Sequence, residues 1–372
     1  MRYVLLYRAL RGRRGRALLA GAGVGSSALL VIVMLAAYRS LTSCVVAYAG
    51  QAGCDVWIAP RGTDNLIRSG GFLPAEWMER AKEAAGVDAV DPVLRTFVSV
   101  EAAHPAAPGA PLTVLAIGHR GLGGPPAFAT GGAAREPDEI TLDRAAAFRL
   151  GVSAGDTVTL NGDARRVVGL TRGTNLIATQ FLFADYADTQ DALGVPGRAS
   201  FLVARLVPGA DAGVVARDLA VRLPDSLVMT SAAFVAHNQR EVAAGFLPLL
   251  ALLAGLGLGV AATLVALLVQ GLVEDRRADI AVLLALGAGT RAVSSAVLAG
   301  AALVILAGTT AGAALSHLLG LLLDRLLPTI ELTYRPTDTA LVFALFAAAG
   351  LIASWLPVAR LRRIDPLEAF RP

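Results

Sequence analysis

The chain has 372 residues, of which 55% are hydrophobic and only 17% are charged, and its formal net charge is +4. A soluble domain carries about 25% charged residues, so the composition argues against a purely water-soluble protein. Lysine occurs once, at Lys82, within the sequence ERAKEA. A nucleotide-binding P-loop needs the lysine of the G-x-x-x-x-G-K-[ST] motif to reach the phosphates. These residues therefore exclude a P-loop ATPase within the sequence itself.

Four segments lack Asp, Glu, Lys and Arg and reach the length of about 20 apolar residues that crosses a bilayer. They are residues 17–38, 242–273, 292–323 and 339–359. Four such segments predict a membrane protein with four transmembrane helices. A cleaved signal peptide is the alternative for the first segment, which is followed by a lipoprotein-like LTSC sequence. Arg39 interrupts the apolar run before that sequence and favours a retained helix.

The placement of arginine predicts the orientation of these spans. Residues 1–16 contain six arginines and no acidic residue, and residues 360–372 form a second basic segment. Basic segments stay in the cytoplasm, so both termini are predicted to be cytoplasmic. The positive charge thus indicates topology and does not predict a nucleic-acid partner. Residues 274–291 then form a cytoplasmic loop, and residues 324–338 form a short extracytoplasmic loop.

The predicted fold class is a membrane α-helical protein with an α+β extracytoplasmic domain, residues 39–241, inserted between helices 1 and 2. Predicted strands cover residues 55–60, 93–101 and 112–118, a predicted helix covers residues 73–86, and residues 121–132 are predicted as a loop. Residues 139–173 predict a helix and then two strands, and residues 201–229 predict a strand, a helix and a strand.

This domain lacks the side-chain patterns of an enzyme or a metal protein. The sequence contains no histidine cluster, no pair of candidate catalytic carboxylates and no Ser/His/Asp arrangement. We therefore expect no catalytic residue, metal or cofactor in this chain. Its two cysteines, Cys44 and Cys54, are both predicted on the oxidising side of the membrane. A disulfide between them and two separate thiols both fit the sequence.

The predicted cytoplasmic loop carries the functional hypothesis. Its first half is charged, and Ile280, Leu283, Leu284 and Leu286 then give a short amphipathic helix that Gly287 and Gly289 can end. The pattern fits an ordinary interfacial helix that links two spans. It fits equally well a helix that docks into a groove on a cytoplasmic partner.

The sequence DRRADIAVLLALGAGTRAV closely resembles the coupling segment of FtsX-like permeases, the ABC transporter subunits that include MacB. That family typically has E-R-[RK]-x-E-I-x-x-L-[RK]-A-[LI]-G-A, with a basic residue where this chain has Leu284. The residues that match the pattern are Asp275, Arg276, Arg277, Asp279, Ile280, Leu283, Ala285, Leu286, Gly287 and Ala288.

Two further blocks resemble the same family. The tail PVARLRRIDPLEAFRP resembles the closing motif P-A-x-x-A-x-x-x-[DR]-P-x-x-[AT]-L-R, with Phe370 in place of the common leucine. The matching positions are Pro357, Ala359, Asp365, Pro366, Glu368, Ala369 and Arg371. The block QAGCDVWIAPRGTDNL resembles the compact branch of the family that includes the DevC and HrtB permeases.

The resemblance implies a permease in the bacterial inner membrane that works as a homodimer with a separate ABC ATPase subunit, which binds the ATP. ATP-driven motion of the stalk and outer domain would then export or extract a substrate. An adaptor or outer-membrane protein and membrane lipids are further implied partners. The alternative is a mechanotransmitter like FtsX itself, which transports nothing and regulates an extracytoplasmic partner such as a cell-wall hydrolase. FtsX-type outer domains are much smaller than the predicted domain here, which favours transport.

Small residues recur at spacings of four or eight along the third predicted span. They are Gly300, Gly308, Gly312, Ser316 and Gly320. Small side chains at this spacing let transmembrane helices approach closely. Packing within one subunit and packing across a dimer both fit the pattern.

Overall fold

The computed structural model describes residues 14–66, 70–103, 111–176, 179–286, 289–327 and 329–360. The chain forms two compact units. The helical unit comprises Met1–Tyr38, Phe246–Leu322 and Leu332–Pro372, and the sheet unit comprises Arg39–Gly245 and Leu323–Glu331. The basic N-terminal arginines up to residue 13 and the tail motif beyond residue 360 lie outside the described residues.

The helices and strands are as follows. The helices are α1 (Arg14–Gln51), α2 (Trp77–Lys82), α3 (Arg144–Leu150), α4 (Tyr186–Leu193), α5 (Ala212–Arg222), α6 (Ser231–Asp275), α7 (Arg277–Ala285), α8 (Thr290–Leu326) and α9 (Pro336–Arg360). The strands are β1 (Val56–Pro60), β2 (Leu73–Pro74), β3 (Val87–Ala102), β4 (Leu112–His119), β5 (Phe128–Gly131), β6 (Glu139–Asp143), β7 (Thr157–Leu160), β8 (Asp163–Thr171), β9 (Phe181–Asp185), β10 (Arg198–Ala199), β11 (Phe201–Leu206) and β12 (Ser226–Thr230).

Four helices among the described residues, α1, α6, α8 and α9, are long and apolar enough to cross a membrane. An α+β unit lies between the first and second of them in the chain, which confirms the predicted fold class. The helices α1 and α6 contain 38 and 45 residues and extend past the predicted apolar segments. The apolar run marks only the part of a helix that suits lipid, because backbone hydrogen bonding continues through polar residues. At about 1.5 Å per residue, α6 is about 68 Å long.

All four long helices contribute side chains to one hydrophobic core in the helical unit. Val24 of α1, Val265 of α6, Ile305 of α8 and Phe346 of α9 belong to this core, and each is at most 2% exposed. Lipid offers no hydrophobic driving force for helix association, so close packing of this kind stabilises a membrane bundle.

The sheet unit is built around a ten-stranded sheet with the order β12-β1-β11-β3-β4-β9-β6-β8-β5, in which β7 pairs with both β3 and β8. The strands β2 and β10 form a separate two-stranded sheet. Most neighbours are antiparallel, but β4 pairs with β9, and β6 with β8, in parallel. The predicted strand at residues 55–60 is confirmed as β1, and the predicted strand pair is confirmed as the antiparallel β3 and β4. Most of the loop between β3 and β4 lies outside the described residues.

Three elements of the sheet unit differ from the sequence prediction. Leu73 and Pro74 form strand β2, and the helix predicted from residue 73 begins only at Trp77, because a residue before proline disfavours helical geometry. The five residues of β6, predicted as helix, form a strand, and Asp143 then caps α3 by accepting a 2.8 Å hydrogen bond from the backbone N–H of Ala145. The short strand β5 lies within the predicted loop at residues 121–132.

Aromatic side chains form the centre of the sheet unit. Trp57 of β1 stacks on Phe234 of α6 with ring centroids 4.3 Å apart. Tyr48 of α1 packs edge-on against Phe181 of β9 and donates a 3.1 Å hydrogen bond to the carbonyl of Gly123. The outer part of α1 and the first turns of α6 are therefore built into the core of this unit.

The two cysteines are separate. Both Cys44 and Cys54 are buried free thiols, which decides between the two alternatives that the sequence allowed. The Cys54 sulfur lies 4.0 Å from the Ser231 hydroxyl, and burial raises the pKa of the Cys54 thiol to about 12. A buried thiol with a raised pKa contains little thiolate and reacts slowly.

Candidate functional site

The short helix α7 follows α6 after an abrupt turn. Arg276 alone separates α6 from α7, and its φ of −111° departs from helical geometry. The backbone N–H of Ile280 donates a 2.8 Å hydrogen bond to the Arg276 carbonyl, which closes the first turn of α7. The predicted terminating residue Gly287, together with Ala288, lies outside the described residues. The helix is thus held at its start by the residue that breaks α6.

One face of α7 packs into the helical unit. Ile280 is 6% exposed and Ala281 is fully buried. Ile280 shares a core cluster with Val273 of α6 and Val358 of α9, and Leu284 packs against the same cluster. The structure therefore gives Ile280, which the sequence predicted as a partner contact, a packing role in this unit. The apolar Leu284 suits that position, where the family that this segment resembles often has a basic residue.

The opposite face of α7 presents apolar side chains to the surroundings. Leu286 is 80% exposed and Val282 is 45% exposed, whereas Leu283 is only half-buried. Residues four apart lie on one side of a helix, so Val282 and Leu286 form one exposed pair. The sequence analysis missed Val282, although its spacing to Leu286 was the available signal. We call Asp279, Val282 and Leu286 the docking face.

Charged side chains precede the apolar pair along the chain and form ion pairs. Arg276 Nη1 lies 3.5 Å from Asp279 Oδ2, and Asp275 Oδ2 at the end of α6 lies 3.3 Å from Arg16 Nη1 of α1. Arg277 is exposed. Exposed ion pairs contribute only about 0.2–1 kcal/mol, so an incoming surface of complementary charge can replace them at little cost. Val282 and Leu286 form an exposed apolar pair, and the nearby ion pairs can be replaced by ion pairs with a partner. Such a surface is suited to binding a groove on another protein.

The small residues of α8 pack mostly inside the chain. A Cβ added at Gly308 would lie 2.6 Å from the Gly21 carbonyl oxygen of α1, and one at Gly312 would overlap the Gly25 carbonyl. At Gly320 an added Cβ would meet the Tyr334 ring at 2.6 Å, and the Ser316 carbonyl accepts a hydrogen bond from the Tyr334 hydroxyl. Packing within one subunit thus accounts for these residues. Gly300 differs, because an added Cβ there meets no atom within 4 Å.

One comparison with known proteins matches a region that includes α7. Residues 251–366 match the family described as FtsX-like permease C-terminal. A stretch of 97 residues, 26% of this chain, is 34% identical to the macrolide export ATP-binding/permease protein MacB of Shigella boydii serotype 4 (strain Sb227). The chain spans 15% of the length of that relative.

Two solved structures of isolated outer domains also resemble part of the chain. The periplasmic region of MacB from Actinobacillus actinomycetemcomitans has a TM-score of 0.39 and 15% identity, over 49% of this chain and 91% of that structure. The extracellular domain of the noncanonic ABC-type transporter YknZ from Gram-positive bacteria has a TM-score of 0.36 and 13% identity, over 47% of this chain and 98% of that structure.

Proposed function

We propose that this chain, whose residues 251–366 match the family described as FtsX-like permease C-terminal, is an ABC transporter permease that couples ATP hydrolysis by a separate ATPase subunit to the export or extraction of a substrate. The motion of its long helices and sheet unit would carry out that work. The chain would act as a homodimer in the bacterial inner membrane, in contact with lipids and with an adaptor or outer-membrane protein. The rival function, regulation of a cell-wall hydrolase without transport, uses the same coupling.

The observation that carries the proposal is the docking face on α7. It lies within the matched residues, and its apolar pair is exposed although other residues of the same helix are buried. Apolar anchors that enter a partner's pocket supply most of the binding energy of an interface. Asp275, Arg276, Arg277 and Asp279 would add charge-assisted contacts around it.

The proposal places ATP binding on a partner. This sequence offers no P-loop lysine, since its only lysine, Lys82, lies beside Glu79 in α2. The MacB relatives are named ATP-binding/permease proteins, and the matched stretch covers 15% of their length. The permease chain would accordingly need no cofactor of its own.

The proposed orientation predicts which surfaces an impermeant reagent can reach. Asp163→Cys, at an exposed position where β8 begins, should be labelled in intact spheroplasts by a membrane-impermeant maleimide. Ala278→Cys, exposed on α7, should be labelled only after permeabilisation. The buried native thiols give a low background. The opposite pattern would overturn the orientation.

Transport and force transmission differ in which molecules accumulate in cells that lack the protein. We expect cells that lack the chain, and cells whose partner ATPase cannot hydrolyse ATP, to retain the same small molecule, lipid or lipoprotein. Comparative mass spectrometry of the membrane and soluble fractions measures this. Loss of extracytoplasmic hydrolase activity without any retained species would favour the mechanotransmitter instead.

A further inference from the structure

The last turn of α8 and the residues that follow it toward α9 are part of the sheet unit and are held there at three points. Residues Leu323–Glu331, here called the strap, belong to the sheet unit, although α8 up to Leu322 and the chain from Leu332 belong to the helical unit. Arg144 Nη2 lies 3.5 Å from Asp324 Oδ1 and 3.3 Å from Glu331 Oε1. One guanidinium therefore binds carboxylates at both ends of the strap.

The middle of the strap is held by a second polar contact. Asn175 Nδ2 donates a 2.8 Å hydrogen bond to the carbonyl of Thr329. Asn175 is 2% exposed, and its side-chain oxygen accepts a 3.1 Å hydrogen bond from the buried Gln180. A buried amide with a fixed partner loses little conformational entropy when it binds a backbone carbonyl.

The arginine that binds the strap is also fixed in position. Arg144 is the first residue of α3 and follows Asp143, which caps that helix and accepts a 2.6 Å hydrogen bond from the Thr174 hydroxyl. Burial raises the pKa of Asp143 to about 6, and the nearby Glu331 carboxylate contributes in the same direction. Two carboxylates, Asp324 and Glu331, therefore lie beside the Arg144 guanidinium, and charge-assisted hydrogen bonds of this kind are about twice as strong as neutral ones.

We propose that the strap is a mechanical connection through which α8 and α9 act on the sheet unit, in addition to the continuous helices α1 and α6. This inference rests on the proposed function, because it requires that the ATPase moves the membrane helices. A segment bound at its two ends and its middle cannot lengthen without breaking these contacts. Movement of α8 or α9 is therefore transmitted, provided that the strap stays bound.

The test replaces the ion pair between Arg144 and Glu331 by a covalent cross-link that is formed only when a reagent is added. Arg144→Cys with Glu331→Cys removes the guanidinium and one carboxylate, and bismaleimidoethane can then link the two thiols. Without the linker we expect backbone amides of the strap to exchange hydrogen at least about tenfold faster, because the contacts of Arg144 with both Asp324 and Glu331 are lost. Complementation of a deletion strain should fall in parallel, and the linker should restore slow exchange and transport-coupled ATP hydrolysis in nanodiscs.

A matched pair controls for the linker itself. Arg205 and Asp88 form an ion pair at 2.8 Å elsewhere in the sheet unit, and the same two cysteines and linker there should change neither readout. The proposal is overturned if strap exchange stays slow without the ion pair. It is equally overturned if the unlinked variant complements fully, or if the linked variant is inactive. Failure of the parent chain to bind its ATPase would instead refute the proposed function.

Discussion

Replacement of Val282 and Leu286 together by aspartate is expected to abolish co-purification of the proposed partner ATPase while the chain still inserts and folds. Both side chains are exposed in this chain, at 45% and 80%, so the substitutions disturb little of its own packing. In the complex each carboxylate would enter an apolar groove, where an unpaired charge loses its hydration. A loss of about 3 kcal/mol, roughly a hundredfold in affinity, is the smallest effect that we expect.

Three further variants separate docking from folding. Ile280→Asp, at a buried position, should reduce the stability of the helical unit itself. Arg276→Ala with Arg277→Ala should weaken ATPase binding only modestly, because charges at the rim of an interface mainly affect the association rate. Leu283→Asp is a less clean test, because this side chain is half-buried. If the Val282 and Leu286 double variant binds the ATPase and supports hydrolysis like the parent, α7 does not couple the two proteins.

Gly308→Ala is expected to destabilise the protein strongly, whereas Gly300→Ala on the same helix is expected to be neutral or slightly stabilising. The added Cβ at Gly308 would lie 2.6 Å from a backbone oxygen of α1, and at Gly300 it would meet nothing within 4 Å. Overpacking costs about 1–3 kcal/mol, and here a backbone has to move. Alanine at an open helical position gains up to about 1 kcal/mol over glycine.

Thermal unfolding in detergent, followed by circular dichroism, measures both variants against the parent. The same samples should be compared by size-exclusion chromatography with light scattering. Since Gly308 packs within the chain, its variant should lose stability whatever the oligomeric state. Equal melting temperatures for the two variants, or a dimer that dissociates without loss of subunit stability, would contradict the described packing.

The four long apolar helices and the strands β3 and β4 were predictable because their sequence signals are local. Uncharged runs of at least 21 residues mark the four spans, and the alternating apolar residues of β3 and β4 mark a strand pair. The segment EITLD was misassigned because the following alanines favour helix, whereas Asp143 begins a helix only after the strand has ended. The capping residue Asp143 marks the start of the helix, and the amino-acid composition of the segment does not.

The candidate site was predictable as a segment but not as a surface. The charged and apolar pattern located α7, yet it could not separate the buried Ile280 from the exposed Val282. That distinction depends on Val273 and Val358, which come from two other helices. The packing partners of Gly308 and Gly312 were likewise undetermined, although Gly21 and Gly25 are also four residues apart. Which helices pack together is a tertiary property, and the row of small residues on one helix does not specify its partner.

The uninterrupted course of α1 and α6 from the helical unit into the sheet unit restricts how such a chain can change in length. One residue inserted into either helix rotates everything beyond it by about 100° and shifts it by about 1.5 Å. Insertions of seven or eleven residues come close to whole numbers of turns. They would lengthen the helix by about 10.5 Å or about 16.5 Å with its faces nearly in phase. Viable length variants of each helix should therefore fall into discrete classes.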